Sequence, residues 1–209
     1  MLIKSLPLGA YETNCYIVTD ESTLSCAVID PGADASYLLD YLESNHLNCR
    51  FVLLTHAHFD HVGAVPDVME ETGAALCMHK ADDRAAIGGS SGEMFCAPEG
   101  TQYFTEGDVI SVDGLSFTVL ETPGHTPGSV CFLCTDTGGD RVLFSGDTLF
   151  RDSCGRTDFP DGSYSDILRS LARLARLPGD YKVYPGHERA TTLDFERSHN
   201  PYLRQGLTL

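Results

Sequence analysis

Short apolar runs rich in β-branched and aromatic residues recur along the chain, separated by breaks that carry glycine and proline. Early in the chain they fall at residues 3–6, 15–19, 26–29 and 51–54, with punctuation at Pro7-Leu8-Gly9 and Pro31-Gly32. Runs of this length between turn residues are strands. Their close succession predicts an antiparallel meander that enters a mixed sheet. Between the third and fourth runs Asp34 stands where a helix N-cap would, and Leu38, Leu39 and Leu42 follow at helical spacing. A helix ending near Asn45 is therefore predicted, and a second one over residues 65–72.

The same order then repeats more loosely, with runs at residues 108–112, 115–120, 130–133 and 142–144, a helix over residues 163–177 and a last run at 181–184. Two β-rich halves, each with helices, predict an α/β or α+β fold with two sheets. Residues 88–100 are rich in Gly, Ser and Pro and predict a mobile loop without the length of a linker. No composition shift marks a boundary, so residues 1–209 are expected to form one domain.

At 209 residues such a domain can bury a full core without covalent staples. The apolar runs are far shorter than the ~20 residues of a membrane span, and Met1-Leu2-Ile3-Lys4 does not begin a secretion signal. A cytoplasmic protein with no membrane partner is expected. The formal charge of -16 repels phosphate backbones, which argues against nucleic acid. The eight cysteines are scattered singly in apolar runs and read as reduced, buried small hydrophobes. Cys131 and Cys134 form a CxxC inside one strand-like run, where residues three apart point to opposite faces, so they are not read as a zinc site.

Directly after the run at 51–54 comes Thr55-His56-Ala57-His58-Phe59-Asp60-His61. Three imidazoles and a carboxylate so close together would repel one another on protonation and resist desolvation unless a cation holds them. His56 and His58 share a face, whereas Asp60 and His61 belong to the turn that begins the next helix, so two adjacent metals are the natural outcome. Further donors stand at the ends of later runs, in Thr122-Pro123-Gly124-His125-Thr126-Pro127-Gly128, Phe144-Ser145-Gly146-Asp147-Thr148 and Val183-Tyr184-Pro185-Gly186-His187-Glu188. In each a glycine immediately precedes the donor. His46, His79 and His199 lie outside these segments and read as structural or solvated.

The motifs THAHFDH, GHTPGS, SGDTLF and YPGHE, in this order, resemble those of the metallo-β-lactamase-fold superfamily over essentially the whole chain. The resemblance implies an α+β fold of the αββα sandwich type. It implies that His56, His58 and His125 bind one metal, Asp60, His61 and His187 a second, and that Asp147 bridges them. Zinc is the first expectation for the two divalent ions, with iron or manganese as alternatives. Gly155-Arg156-Thr157-Asp158-Phe159-Pro160 and the tail Phe195-Glu196-Arg197-Ser198-His199-Asn200-Pro201-Tyr202 look most like the glyoxalase II-like hydrolases, which act on thioesters. Arg156 and Asp158 are candidates either for an ion pair that fixes their loop or for substrate contact. True glyoxalase II proteins continue into a helical segment that contacts glutathione, and the match ends at Leu209, so a compact member with weak preference for glutathione is expected.

The implied chemistry is attack of a metal-bridging hydroxide on a thioester carbonyl, with Asp60 orienting the nucleophile. Partners for the far ring nitrogens of the histidines are expected. A persulfide dioxygenase, which shares the fold and a similar GRTDF segment but uses one iron, is the alternative reaction class. A non-enzymatic metal module has no need of so complete a donor set. The arrangement of Asp147 and Asp60 is unlike that of the drug-resistance enzymes, so β-lactam hydrolysis is not expected.

Overall fold

The computed structural model describes residues 1–83 and 95–208. Strands β1 (Leu2–Leu8), β2 (Thr13–Thr19) and β3 (Ser25–Ile29) form the predicted antiparallel meander. The chain then crosses through helix α1 (Ala35–Ser44) to β4 (Asn48–Leu53), which pairs parallel to β3. Short helices α2 (Phe59–Val62) and α3 (Val65–Thr72) lead to β5 (Ala75–His79), and β6 (Gln102–Phe104) closes the sheet, both parallel. The order of this six-stranded sheet is β1-β2-β3-β4-β5-β6.

The second sheet repeats the plan. Strands β7 (Val109–Val112), β8 (Leu115–Glu121), β9 (Val130–Asp136) and β10 (Arg141–Gly146) are antiparallel neighbours. After a hairpin of β11 (Leu149–Phe150) and β12 (Ser153–Cys154), helix α4 (Tyr164–Ala175) returns the chain to β13 (Lys182–Pro185), parallel to β10. Then β14 (Thr191–Thr192), α5 (Leu193–His199) and α6 (Pro201–Gly206) finish the described chain, giving the order β14-β13-β10-β9-β8-β7.

Three apolar layers result from the period-two alternation of the strands. Tyr16, Val18, Ala27 and Ile29 face Phe117, Phe132 and Phe144 between the sheets. Their neighbours Cys15, Ile17, Cys26 and Val28 face α1 and α3 on the outside of the first sheet. On the outside of the second sheet Leu143 and Val183 meet Ile167, Leu168, Leu171 and Leu174 of α4. Helices thus cover both outer faces, and the architecture is the αββα sandwich of the α+β class. Every residue of β2 and β3 is buried, because both faces of these strands are covered. Among the described residues no helix is long and apolar enough to cross a membrane.

Cys131 belongs to the layer under α4 and Cys134 to the layer between the sheets, so the CxxC thiols do point apart. Two expectations need correction. Asp34 adopts a left-handed conformation and makes no side-chain cap; its carboxylate accepts a hydrogen bond from the Gly9 backbone N–H at 2.8 Å, so the side chain is spent on the β1–β2 turn. Cys96 is exposed and Cys154 half-buried, so burial holds only for the other six cysteines. Of the loop expected over residues 88–100, residues 88–94 lie outside the described part, while Thr101 closes a turn onto the Pro98 carbonyl.

Phe132 sits at the centre of the layer between the sheets, fully buried, with its ring edge-on to Phe104 at 5.6 Å. Phe132→Ala is expected to cost about 3–5 kcal/mol of unfolding free energy in denaturant titration, the range for truncating a core aromatic. Val109→Ala, on an exposed position of the edge strand β7, should cost under about 0.5 kcal/mol.

Candidate metal centre

Strand direction brings the donor segments to one edge. Because β9 opposes both β8 and β10, and β13 is parallel to β10, the C-terminal ends of β8, β10 and β13 lie together. The segments bearing His125, Asp147 and His187 follow those ends. The segment after β4 joins them through the Val130 N–H, which donates to the Thr55 carbonyl at 2.8 Å. Glycine before each donor has a steric reason where the segments close in. A side chain at Gly186 would strike the Asp147 carboxylate and the His61 ring, and Gly146 takes a φ of 46° against the Thr55 side chain.

All seven predicted donors converge. The ligand atoms of His56, His58 and His125 lie within 4.8 Å of one another, and so do those of Asp60, His61 and His187. His58 Nδ1 is 2.8 Å from His125 Nε2. Asp147 stands between the two groups: its Oδ1 is 3.4 Å from His61 Nε2, while its Oδ2 is 3.4 Å from His125 Nε2 and 3.6 Å from His187 Nε2. Among the described residues, His56 Nε2, His61 Nε2 and Asp147 Oδ1 are buried with no hydrogen-bond partner. Orphaned buried polar atoms are costly, and three of them facing one small space fit a cation there.

The electrostatics agree. Burial pushes the His56 imidazole well below its ordinary pKa, and the neighbouring histidines push the same way. His58 falls to about 4 for the same reasons, burial first and His125 next. For His61 burial also opposes the charged form, but the carboxylates of Asp147, Asp30 and Asp60 outweigh it and lift the ring to about 9. Asp60 is held well below the usual carboxylate range; burial opposes this, and the hydrogen bond from His187 with the charge of His61 prevails. His56 and His58 are thus biased to the neutral form, whereas His61, among carboxylates, holds its proton more tightly.

The far ring nitrogens are anchored. His61 Nδ1 contacts Asp30 Oδ2 at 2.9 Å, His125 Nδ1 the Arg156 carbonyl at 2.8 Å, and His187 Nδ1 the Tyr11 carbonyl at 3.3 Å. Asp30 was not foreseen, although it ends the apolar run at 26–29 before Pro31-Gly32, the same strand-end pattern as the donors. It also receives the Thr55 N–H at 2.8 Å and the Thr55 hydroxyl at 2.6 Å. Asp82 was not foreseen either, and no local signal marks it. Its buried carboxylate accepts from the Ala57 N–H at 3.1 Å, the Thr126 hydroxyl at 2.7 Å and the Gly128 N–H at 2.7 Å, stapling the His56–His58 segment to the His125 segment. Asn14 ties in the His187 segment by donating to the Pro185 and Glu188 carbonyls at 3.1 and 2.8 Å.

Arg156 and Asp158 form an exposed ion pair through two hydrogen bonds of 2.7 and 2.8 Å, beside the centre. The tail motif acts on the loop before them: buried Glu196 accepts from the Asp152 N–H at 2.9 Å, and Asn200 donates to the Ser153 carbonyl at 2.9 Å. His79 pairs with Glu121 at 3.2 Å and His199 stacks on Phe195, both away from the donor groups. A cavity of about 600 Å³ between α1 and α3, lined by Leu39, Leu42, Glu43 and Glu71 among others, contains none of these donors.

Comparison with known proteins places this geometry in a familiar setting. The family described as "Metallo-beta-lactamase superfamily" matches residues 8–187. The hydroxyacylglutathione hydrolase GloC of Haemophilus influenzae is 33% identical over 97% of this chain and 98% of its own. Among solved structures, the BLEG-1 B3 metallo-beta-lactamase is 34% identical with a TM-score of 0.84, covering 97% of this chain and 99% of its own. TTHA1623 in a di-iron-bound form is 36% identical with a TM-score of 0.79, covering 95% and 99%. ETHE1 from Myxococcus xanthus is 32% identical with a TM-score of 0.79, covering 96% and 84%.

Asp82 offers a direct check on how the segments are held. Burial pushes its carboxyl up, against the opposing hydrogen bonds from Thr126, Gly128 and Ala57, and Asp82→Ala would leave those donors unpaired. The expected loss is about 2–4 kcal/mol in unfolding experiments. Stability unchanged within error would show that the staple carries no weight.

Proposed function

Starting from a chain that belongs to the metallo-beta-lactamase superfamily, we propose a dinuclear metal-dependent hydrolase that cleaves thioesters, built as one domain over residues 1–209. In this reading His56, His58 and His125 hold one divalent cation, Asp60, His61 and His187 hold the other, and Asp147 serves both. The observation that carries it is the Asp147 carboxylate, with one oxygen toward His61 and the other toward His125 and His187. Zinc suits the mixed imidazole and carboxylate donors, and the di-iron form of TTHA1623 makes iron the next candidate.

When bound, the cations supply a Lewis acid for a carbonyl oxygen and make water acidic enough to act as a nucleophile near neutral pH. The residues of the chain do the rest. Asp60 Oδ2, kept ionised and receiving the Thr13 hydroxyl at 3.2 Å, would accept a hydrogen from the attacking water and so aim its lone pair. Asp30 and the Arg156 and Tyr11 carbonyls fix which nitrogen of His61, His125 and His187 faces inward. A thiolate leaves without help, since its conjugate acid is far stronger than an alcohol, so no general acid is needed on that side. The hydroxyacylglutathione hydrolase GloC supports the thioester as substrate class. BLEG-1 supports testing β-lactams beside it.

The deciding experiment measures metal content and turnover on the same purified sample. Two metals per chain with thioester hydrolysis, and no oxygen uptake with a persulfide, is the expected result. Faster turnover of a β-lactam than of any thioester, or oxygen uptake with one iron per chain, would replace the reading. In Asp147→Ala metal content should fall toward one or none per chain; two retained metals would remove Asp147 from its shared role.

Acid should silence the enzyme. His61 and His187 both hold a proton more tightly than an ordinary imidazole, burial opposing this and the neighbouring carboxylates prevailing, so protons compete for these nitrogens from higher pH than usual. Metal occupancy and rate are expected to fall together as pH drops from about 8 to 5. A rate flat over that range at saturating metal, with the chemical step limiting, would contradict it.

A further inference from the structure

Three aromatic side chains on segments next to the donors are left partly in water by the fold. Tyr11, Phe59 and Phe159 are 62%, 55% and 41% exposed, although each could gain by burial. Their placement is not scattered. Phe59 directly follows His58, and its ring meets the edge of Tyr11 at 5.2 Å. The Tyr11 carbonyl in turn faces His187 Nδ1. On the other side Phe159 lies edge-on to His58 at 5.6 Å, with the Arg156 guanidinium stacked over it at 4.1 Å. Phe159 thus meets the ring of a donor directly, while Phe59 and Tyr11 pack on each other next to the segments that carry His58 and anchor His187.

Charge narrows what such a rim accepts. Arg156, stacked over Phe159, has its charge offset by Asp158 through two hydrogen bonds, so it offers a carboxylate or phosphate less net charge than a lone arginine would. The chain as a whole carries a formal charge of -16, which disfavours anionic groups further.

We propose that Tyr11, Phe59 and Phe159 form a specificity rim that selects substrates with an uncharged apolar group, aryl or branched alkyl, next to the scissile carbonyl. This rests on the thioesterase reading above and names the substrate class within it. A flat apolar group lying over the metal centre covers the exposed faces of these rings and excludes water from the carbonyl. A small polar acyl group, such as lactoyl, leaves them wet.

The test uses thioesters of one neutral thiol, N-acetylcysteamine, with acetyl, lactoyl and phenylacetyl groups, on metal-loaded protein. The wild-type chain should favour phenylacetyl over acetyl by about tenfold or more in kcat/KM. In Phe59→Ala and Phe159→Ala, with metal content verified, that ratio should drop to within about twofold of the intrinsic reactivity difference. Val109→Ala, which alters an exposed apolar residue at the far edge strand, should keep the wild-type ratio. A ratio no larger than the intrinsic difference in the wild type, or one unchanged in both rim variants, overturns the proposal. Binding of the inert benzyl and methyl thioethers of the same thiol is measured in parallel. If no thioester is hydrolysed, the thioesterase reading fails while the rim is judged on binding: tighter benzyl than methyl binding, lost in the rim variants, supports it, and equal binding overturns it.

Discussion

Everything near the catalytic edge depends on keeping many ionisable side chains together in a space with little water. Imidazoles packed this closely lose their protons, as His56 and His58 do, while His61 among carboxylates holds its proton more tightly. Neither state satisfies the buried ring nitrogens of His56 and His61 or the Asp147 Oδ1. A pair of cations would relieve both problems at once, easing the repulsion among the imidazoles and neutralising the carboxylates. The site is thus better described as a preformed socket than as a chance meeting of polar groups.

The rest of the fold serves to keep that socket from relaxing. Strand direction places the ends of β8, β10 and β13 on one edge, but the segments beyond them are joined by hydrogen bonds to single buried carboxylates. Asp30 binds both Thr55 and His61, and Asp82 bridges the first histidine segment to the Thr126–Gly128 turn. Glu196 and Asn200, far along the chain, hold the loop that carries Arg156. Loss of any of these groups leaves unpaired polar atoms in a dry interior, so each helps to hold the donor segments in place.

Much of this was legible in the sequence, and the exceptions have physical causes. The runs that became β2, β3, α3 and β13 stood out because two covered faces, or one covered helix stripe, leave a strong apolar signature. By contrast β5 and β6 were missed: one is a five-residue strand holding Cys77, Met78 and His79, the other a three-residue edge piece with little to distinguish it from loop. Asp34 looked like a cap because local spacing says nothing about the Gly9 amide that claims it. The donor segments were visible because the first packs three histidines and an aspartate into six residues and the other three each put a glycine directly before the donor. Spacing separated His56 and His58 from Asp60 and His61, but the roles of His125, His187 and Asp147 came from the resemblance, and Asp82 gave no signal because its partners lie 25 or more residues away.

The central claim is that Asp147 joins two cations, one on the His56, His58 and His125 side and one on the Asp60, His61 and His187 side. Anomalous diffraction from crystals of the metal-loaded protein tests this most directly. The account predicts two anomalous peaks about 3.5–4 Å apart, with the Asp147 carboxylate in contact with both. A single peak, or two peaks of which only one touches Asp147, would contradict it.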